Sequence, residues 1–211
     1  MIERARREHA DALATLHRAS LPASLLSALG QRALVRYYTH VIDSPRELVL
    51  VAIASPGLAE ERSTAGAGTI DDGVVGGCVL SNEPHTLLRR FVTSARMRFA
   101  VELARAAVTD RSLRARLWRR LREGGGDDGQ HLPEITQIFT DARQRGRGIG
   151  ADLLRSCEEA LRVAGQSEYI IHTHRDDNDA GIRFYRREGF ATMGETTSFG
   201  DSFLLMKKAV R

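Results

Sequence analysis

The residues from Thr140 to Leu154 read TDARQRGRGIGADLL and combine three glycines, three arginines and the start of a helical pattern. Glycines expose successive backbone N–H groups, and the N-terminus of the following helix adds a partial positive charge. A loop of this kind binds an anion, and the neighbouring arginines add charge-assisted hydrogen bonds to it. The segment therefore predicts a site for a ligand that carries phosphate.

Two common phosphate-binding loops account for this segment poorly. A Walker loop needs Lys followed by Ser or Thr after its last glycine, whereas Ala-Asp follows here. The dinucleotide-binding pattern G-x-G-x-x-G/A is matched by Gly146, Gly148 and Ala151. However, the polar stretch DARQR separates this pattern from the preceding strand, and only 37 residues follow His174, too few to complete such a sheet. The dinucleotide interpretation is therefore the weaker one.

The spacing Arg145-x-x-Gly148-x-Gly150 resembles the R/Q-x-x-G-x-G/A signature of the GNAT superfamily of N-acetyltransferases. Downstream, NDAGIRFYRREGF (Asn178 to Phe190) resembles the second signature of this superfamily, and IERARREHADALATLH resembles its usual first strand and helix. The resemblance covers the first 20 residues and everything from Glu134 onward. It implies that acetyl-CoA is the co-substrate and that its pyrophosphate binds the glycine loop. No metal is expected, because no cluster of His, Cys or carboxylate residues has the spacing of a zinc site.

The resemblance also implies which positions contact the cofactor. The strand before the glycine loop would pair its backbone with the pantetheine arm, as an added strand does. Asn178 would cap the helix that follows it and touch the same arm, while Arg143 is expected to be only solvated. The expected cofactor contacts are Ile138, Phe139, Thr140, Arg145, Gly146, Arg147, Gly148, Ile149, Gly150, Asn178 and Tyr185.

Direct attack of an amine on the thioester in a ternary complex is the mechanism that the resemblance implies. Because an alkyl amine has a pKa near 10.4, most of it is protonated at neutral pH, and a general base is needed. Glu134 is the predicted base, since some family members place a catalytic glutamate on this strand. Tyr185 is the predicted acid for the departing thiolate. His172 and His174 share one face of the next strand, where they either line the acceptor pocket or are ordinary sheet histidines.

The predicted function is N-acetylation of a small-molecule or peptide amine. A catalytically silent module of the same fold, which binds coenzyme A or another protein, is the alternative. Residues 84–123 carry eleven arginines against three acidic residues, a local net charge of +8. A solvated helix face explains this charge better than a nucleic-acid surface, because the arginines alternate with apolar positions in a helical pattern. The sequence is also compatible with a homodimer.

Composition is that of an ordinary soluble protein, with 42% apolar and 27% charged residues. No apolar run approaches the roughly 18 residues of a membrane-spanning helix. The polar N-terminal segment lacks the apolar region of a signal peptide, so a cytoplasmic protein is expected. Cys78 and Cys157 match no metal or redox spacing, and Cys157 is predicted to be a buried thiol.

Hydrophobic periodicity predicts alternating helices and strands along the chain. The predicted helices are Asp11 to Leu21, Ala23 to Ile42 with a break at Gly30, Leu87 to Arg122, Ala151 to Val163 and Asn178 to Glu188. The predicted strands are Ile2 to Arg6, Leu48 to Ser55, Val74 to Ser81 with a bend or bulge at its paired glycines, Glu134 to Thr140, Glu168 to His174, Phe190 to Thr197 and Ser202 to Met206. This order indicates one α/β domain over residues 1–211. We expect a mixed, mostly antiparallel central sheet flanked by helices, with a helical insertion at about 84–130.

Overall fold

The computed structural model describes residues 1–54, 73–94, 132–198 and 201–210. Its helices are α1 (Ala10–Ser20), α2 (Leu25–Ala28), α3 (Gln31–Asp43), α4 (Pro84–Ser94), α5 (Ile149–Val163) and α6 (Asp179–Arg187). Its strands are β1 (Ile2–Arg4), β2 (Glu47–Ile53), β3 (Val74–Ser81), β4 (Glu134–Thr140), β5 (Glu168–His174), β6 (Ala191–Ser198) and β7 (Asp201–Ala209). Short 3-10 turns lie at Arg7–His9 and Ala142–Gln144. Within these ranges, no helix is long and apolar enough to cross a membrane.

The predicted elements agree with the structure apart from their ends. The predicted helix from Ala23 to Ile42 is divided into α2 and α3, and the break falls at Gly30, whose φ of +87° favours glycine. Helix α5 begins two residues earlier than predicted, at Ile149. The predicted insertion is described as far as Ser94, and the rest of its helical pattern and most of its arginines lie outside the described residues.

The seven strands form one sheet in the order β1-β2-β3-β4-β5-β7-β6. The pairs β1 with β2, β5 with β7, and β6 with β7 are antiparallel, whereas β4 and β5 are parallel. The parallel pair follows from chain order, since α5 connects β4 to β5 and returns the chain to the same end of the sheet. The predicted mixed, mostly antiparallel sheet flanked by helices is thus confirmed.

The described residues fall into two compact units, Met1–Leu80 with Gln137–Cys157 and Ser81–Thr136 with Glu158–Arg211. In the first unit, β3 is continuous over its whole length, and its paired glycines mark a place of close packing. A Cβ atom on Gly77 would lie 2.5 Å from Cδ2 of Leu13 and 2.8 Å from Cζ of Phe139. Only a glycine lets these two buried side chains reach the strand.

A chain of hydrogen bonds joins α1, α2 and α3 in the first unit. The hydroxyl of Tyr38 donates to Nδ1 of His17 at 2.7 Å, and Nε2 of His17 lies 2.8 Å from Oγ of Ser24. Because the hydroxyl of Ser24 donates to Oγ of Ser27 and that of Ser27 to the carbonyl of Leu21, Nε2 must carry the imidazole proton. Because burial lowers the pKa of His17 and so favours the neutral ring, Nδ1 accepts the hydrogen bond from Tyr38.

In the second unit, β5 pairs with β7 along its entire length, from Glu168 opposite Ala209 to His174 opposite Phe203. Tyr169 is completely buried, and its hydroxyl donates to Oε1 of Glu158 at 2.6 Å. The same carboxylate pairs with Lys208 of β7. These contacts hold the face of β5 on which Tyr169 lies. The orientation of the opposite face of the strand is fixed as a consequence.

We predict that His17 makes the stability of the protein depend on pH. Burial lowers the pKa of His17 to about 4 from an ordinary value of 6.5. The unfolded chain therefore takes up this proton at a higher pH than the folded chain does. The contribution of His17 to the free energy of unfolding is fully present above pH 6.5. About 3 kcal/mol of this contribution is lost as the pH falls to about 4.

Urea unfolding of the unchanged protein and of His17→Gln at a series of pH values tests this. The variant should lack this part of the pH dependence, although it is less stable at neutral pH. Parallel pH dependences in the two proteins would contradict the assignment.

Candidate active site

The glycine loop lies between the 3-10 turn and α5, as predicted. Gly146 and Gly148 have φ values of +79° and +82°, a region that side-chain-bearing residues rarely adopt. A Cβ atom added to either glycine would meet nothing within 4 Å, so the loop is open on the side of the glycines. Gly146 and Gly148 are therefore required by the backbone conformation and not by internal packing.

The loop presents unused hydrogen-bond donors and positive charge. In the described part of the chain, no backbone acceptor pairs with the N–H groups of residues 146–151, and Asp152 is the first to bond back, to the carbonyl of Gly148 at 2.9 Å. Arg145 and Arg147 are exposed, and neither makes an ion pair with a described residue. With the N-terminus of α5, these groups form a site suited to an anion.

Arg143 differs from the expectation that it would be only solvated. Its guanidinium contacts both carboxylate oxygens of Asp141, at 3.2 Å from Nε to Oδ1 and 3.0 Å from Nη2 to Oδ2. Asp141 also accepts a hydrogen bond from the backbone N–H of Arg143, which begins the 3-10 turn. This ion pair raises the pKa of the Arg143 guanidinium. Arg143 therefore holds the turn before the loop.

Side chains of β4 alternate as the sequence predicts. Ile135 and Phe139 are buried, and Phe139 packs its ring against His17 at 5.3 Å between ring centroids. Glu134, Ile138 and the remaining positions are partly exposed. The register of β4 with β5 consists of two pairs, Glu134 opposite Ile170 and Ile135 opposite Ile171. These pairs therefore hold the N-terminal end of β4 against β5.

The side chain of Glu134 is hydrogen-bonded to His172 in the second unit. Oε1 of Glu134 lies 2.9 Å from Nδ1 of His172. Both side chains are partly buried, with 16% of Glu134 and 27% of His172 exposed. The parallel register explains the contact, because residues 170 and 172 of β5 share the sheet face of Glu134. The predicted base therefore has an imidazole as its direct partner.

The sequence left open whether His172 lines the acceptor pocket or is an ordinary sheet histidine, and it did not predict this pairing. The signal was present in the β-α-β order, which predicts parallel neighbours, and in the alternation of the two strands. The sequence does not give the register of β4 with β5, and a shift of one residue would move the histidine to the opposite face of the sheet. The ring of His174 lies against that of Phe203, with 4.4 Å between the ring centroids.

Asn178 does not cap α6 with its side chain, which corrects the prediction. Its Nδ2 donates to Oγ1 of Thr173 at 2.7 Å and to the carbonyl of His174 at 3.3 Å. The backbone at Asn178, with φ −131° and ψ 33°, directs the side chain back toward the end of β5. Gly181 faces it across the first turn of α6, where a Cβ atom would lie 2.5 Å from Oδ1.

Tyr185 lies on α6 among aromatic side chains. Its ring centroid is 5.2 Å from that of Phe184 and 5.5 Å from that of Phe190. The residue is partly exposed. Gly189, with φ +92°, ends the helix as predicted and lets the chain turn into β6.

The two cysteines lie together in the first unit, with 3.5 Å between their sulfur atoms, and both are buried free thiols. The prediction of a buried thiol at Cys157 is therefore confirmed. The pKa of Cys78 is raised by its hydrogen bond to Cys157 and by burial. No cluster of His, Cys, Asp or Glu with the geometry of a metal site occurs among the described residues.

Comparison with known protein families gives a match over residues 56–190, more than half of the chain, to the acetyltransferase (GNAT) family. The chain belongs to the GNAT acetyltransferase family. The resemblance found in the glycine loop and in the segment around Tyr185 is thereby confirmed. No curated protein sequence matches the chain significantly.

Solved structures of GNAT enzymes share the fold. An aminoglycoside 6′-N-acetyltransferase complexed with coenzyme A aligns with a TM-score of 0.60 and 12% identity, covering 100% of this chain and 97% of that one. A GNAT acetyltransferase from Streptococcus pneumoniae aligns at 0.57 and 15%, covering 100% and 99%. The ribosomal-protein-S18-alanine N-acetyltransferase from Escherichia coli aligns at 0.56 and 10%, covering 100% and 93%. At these identities the alignments establish a shared fold.

Proposed function

We propose that this GNAT protein is an N-acetyltransferase that moves an acetyl group from acetyl-CoA to an amine. The amine attacks the thioester directly while both substrates are bound. The observation that carries the proposal is the glycine loop before α5, whose backbone donors and arginines suit the pyrophosphate of coenzyme A. The complex of the structurally similar aminoglycoside enzyme with coenzyme A supports this choice of ligand.

Pyrophosphate in the loop would accept hydrogen bonds from the backbone N–H groups of residues 146–150. Arg145 and Arg147, which are exposed there, supply opposite charges. The pantetheine arm would then extend along Ile138, Phe139 and Thr140 of β4. The side chain of Phe139 is buried, so this residue contributes its backbone. Asn178 would contact the same arm, with its amide group already held by Thr173.

The acetyl transfer needs a base and an acid. Glu134, with its partner His172, supplies the base that removes a proton from the attacking amine. Tyr185 gives its phenolic proton to the departing thiolate, so that coenzyme A leaves as a neutral thiol. The acceptor is a small molecule or a peptide with an amine. We further propose that residues 1–211 form a single domain.

Changing Gly148 to Asp is expected to abolish binding of coenzyme A. The substitution adds a negative charge in the anion site at a position where φ is +82°. Gly148→Asn is the matched control, because Asn has nearly the same size, tolerates this φ equally well and carries no charge. Isothermal titration calorimetry should detect binding to the Asn variant and none to the Asp variant. Micromolar affinity in the Asp variant would contradict the loop as the pyrophosphate site.

Changing Tyr185 to Phe is expected to lower kcat for acetyl transfer by about 100-fold, because it removes the proton donor. The ring contacts with Phe184 and Phe190 are kept, so the fold and the affinity for coenzyme A should change little. Steady-state kinetics and calorimetry on the same preparation separate these effects. Unaltered turnover from about pH 6 to 9 would exclude Tyr185 as the acid.

A further inference from the structure

Packing of α5 on β3 brings the two cysteines of the chain together. Cys78 and Cys157 are 79 residues apart in the sequence, yet their sulfur atoms lie 3.5 Å from each other, and one thiol donates a hydrogen bond to the other. Both side chains are completely buried, and neither takes part in the site proposed for coenzyme A. Because the S–S bond of a disulfide is about 2.05 Å long, the sulfur atoms must approach by about 1.5 Å to form one.

The row of contacts between α5 and β3 continues beyond the cysteines. Gly76 lies two residues before Cys78 and therefore on the same face of β3. Ile149, Leu153 and Cys157 follow at intervals of four residues and share one face of α5. A Cβ atom on Gly76 would lie 3.1 Å from Cγ2 of Ile149 and 3.3 Å from Cδ1 of Leu153. The helix is thus closely packed on the strand, and such packing transmits a displacement instead of absorbing it.

The first turn of α5 carries part of the anion site. Ile149 and Gly150 begin the helix directly after Gly148, and their N–H groups are among the donors that the loop presents. Cys157 lies eight residues after Ile149, which is about 12 Å along the helix axis. A movement of α5 at Cys157 therefore changes the alignment of these donors, on which their stabilisation of an anion depends.

A peroxide can oxidise this pair to a disulfide. The thiolate of one cysteine attacks the O–O bond and becomes a sulfenic acid, and the peroxide leaves as water or an alcohol. The second thiol then attacks the oxidised sulfur, the S–S bond forms and a second water leaves. Each sulfur loses one electron, and the peroxide gains two. Because the second thiol is only 3.5 Å away, it captures the sulfenic acid before further oxidation to a sulfinic acid.

Burial makes this oxidation slow and selective for small oxidants. The hydrogen bond to Cys157 and burial raise the pKa of Cys78, and the thiolate is the form that reacts. The rate should therefore rise with pH. Hydrogen peroxide is nearly as small as water, whereas bulky thiol reagents do not reach side chains that are completely buried.

We propose that Cys78 and Cys157 are a site of reversible oxidation by peroxides, and that their disulfide lowers the affinity of the glycine loop for coenzyme A. The second part rests on the function proposed above. Formation of the S–S bond draws Cys157 toward β3, so α5 shifts and its first turn loses alignment with the pyrophosphate. Because binding and oxidation are linked, bound acetyl-CoA opposes the disulfide by the same factor by which the disulfide weakens binding.

Mass spectrometry tests the oxidation itself. The reduced full chain is treated with hydrogen peroxide, unfolded, alkylated and digested. We expect the peptides that contain Cys78 and Cys157 to be recovered as one linked species, and dithiothreitol to separate them. Cys78→Ala and Cys157→Ala are matched controls that should yield no linked species. Two free thiols, or sulfinic acid without a disulfide, in the unchanged protein would overturn the proposal.

Calorimetry with acetyl-CoA, which has no free thiol, tests the link to the glycine loop. The disulfide form should bind with a Kd about 10-fold higher than the reduced form, and dithiothreitol should restore the affinity. By linkage, saturating acetyl-CoA should raise the reduction potential of the pair by about 30 mV. The two alanine variants should bind equally well before and after peroxide treatment, which excludes an effect of oxidised methionines.

Two outcomes separate the parts of this account. If the disulfide forms but leaves the Kd for acetyl-CoA unchanged, the regulatory role of the pair is wrong. If the reduced, unchanged protein does not bind acetyl-CoA, the proposed function fails, and the regulatory role fails with it. Mass spectrometry decides in either case whether the two thiols are a site of oxidation.

Discussion

The position of β4 depends on the close approach of side chains to Gly77 in β3. Leu13 of α1 and Phe139 of β4 occupy the space that a Cβ atom would need, at 2.5 and 2.8 Å from it. Phe139 also packs against the rings of His17 and Tyr38. This packing holds the end of β4, which is the point where the chain enters the 3-10 turn and the glycine loop. A larger residue at position 77 would displace the strand from which the loop starts.

The N-terminal end of β4 is held by its parallel pairing with β5. That register places Glu134 on the same sheet face as His172, and the side chains form a hydrogen bond across the two strands. One strand thus carries a candidate catalytic carboxylate at its first residue and leads directly into an anion-binding loop after its last.

The sequence predicted most of the fold because its signals are local. Glycine spacing, strand alternation and helical periodicity located β4, the loop, α5 and α6 to within a few residues, and the GNAT signatures identified the family. The predictions that failed depend on which side chains become partners. Asn178 bonds to Thr173 and His174 instead of capping α6, and Arg143 binds Asp141 instead of being only solvated. The pairing of Glu134 with His172 needed the register, which no local pattern specifies.

Amine-dependent release of thiol from acetyl-CoA tests the central claim most directly. The purified protein is incubated with acetyl-CoA and each member of a panel of small-molecule and peptide amines, and free thiol and acetylated product are measured together. The account predicts that at least one amine accelerates thiol release and is recovered as its N-acetyl derivative in equal amount. Binding of acetyl-CoA without amine-dependent release would contradict it and favour a silent module that binds coenzyme A.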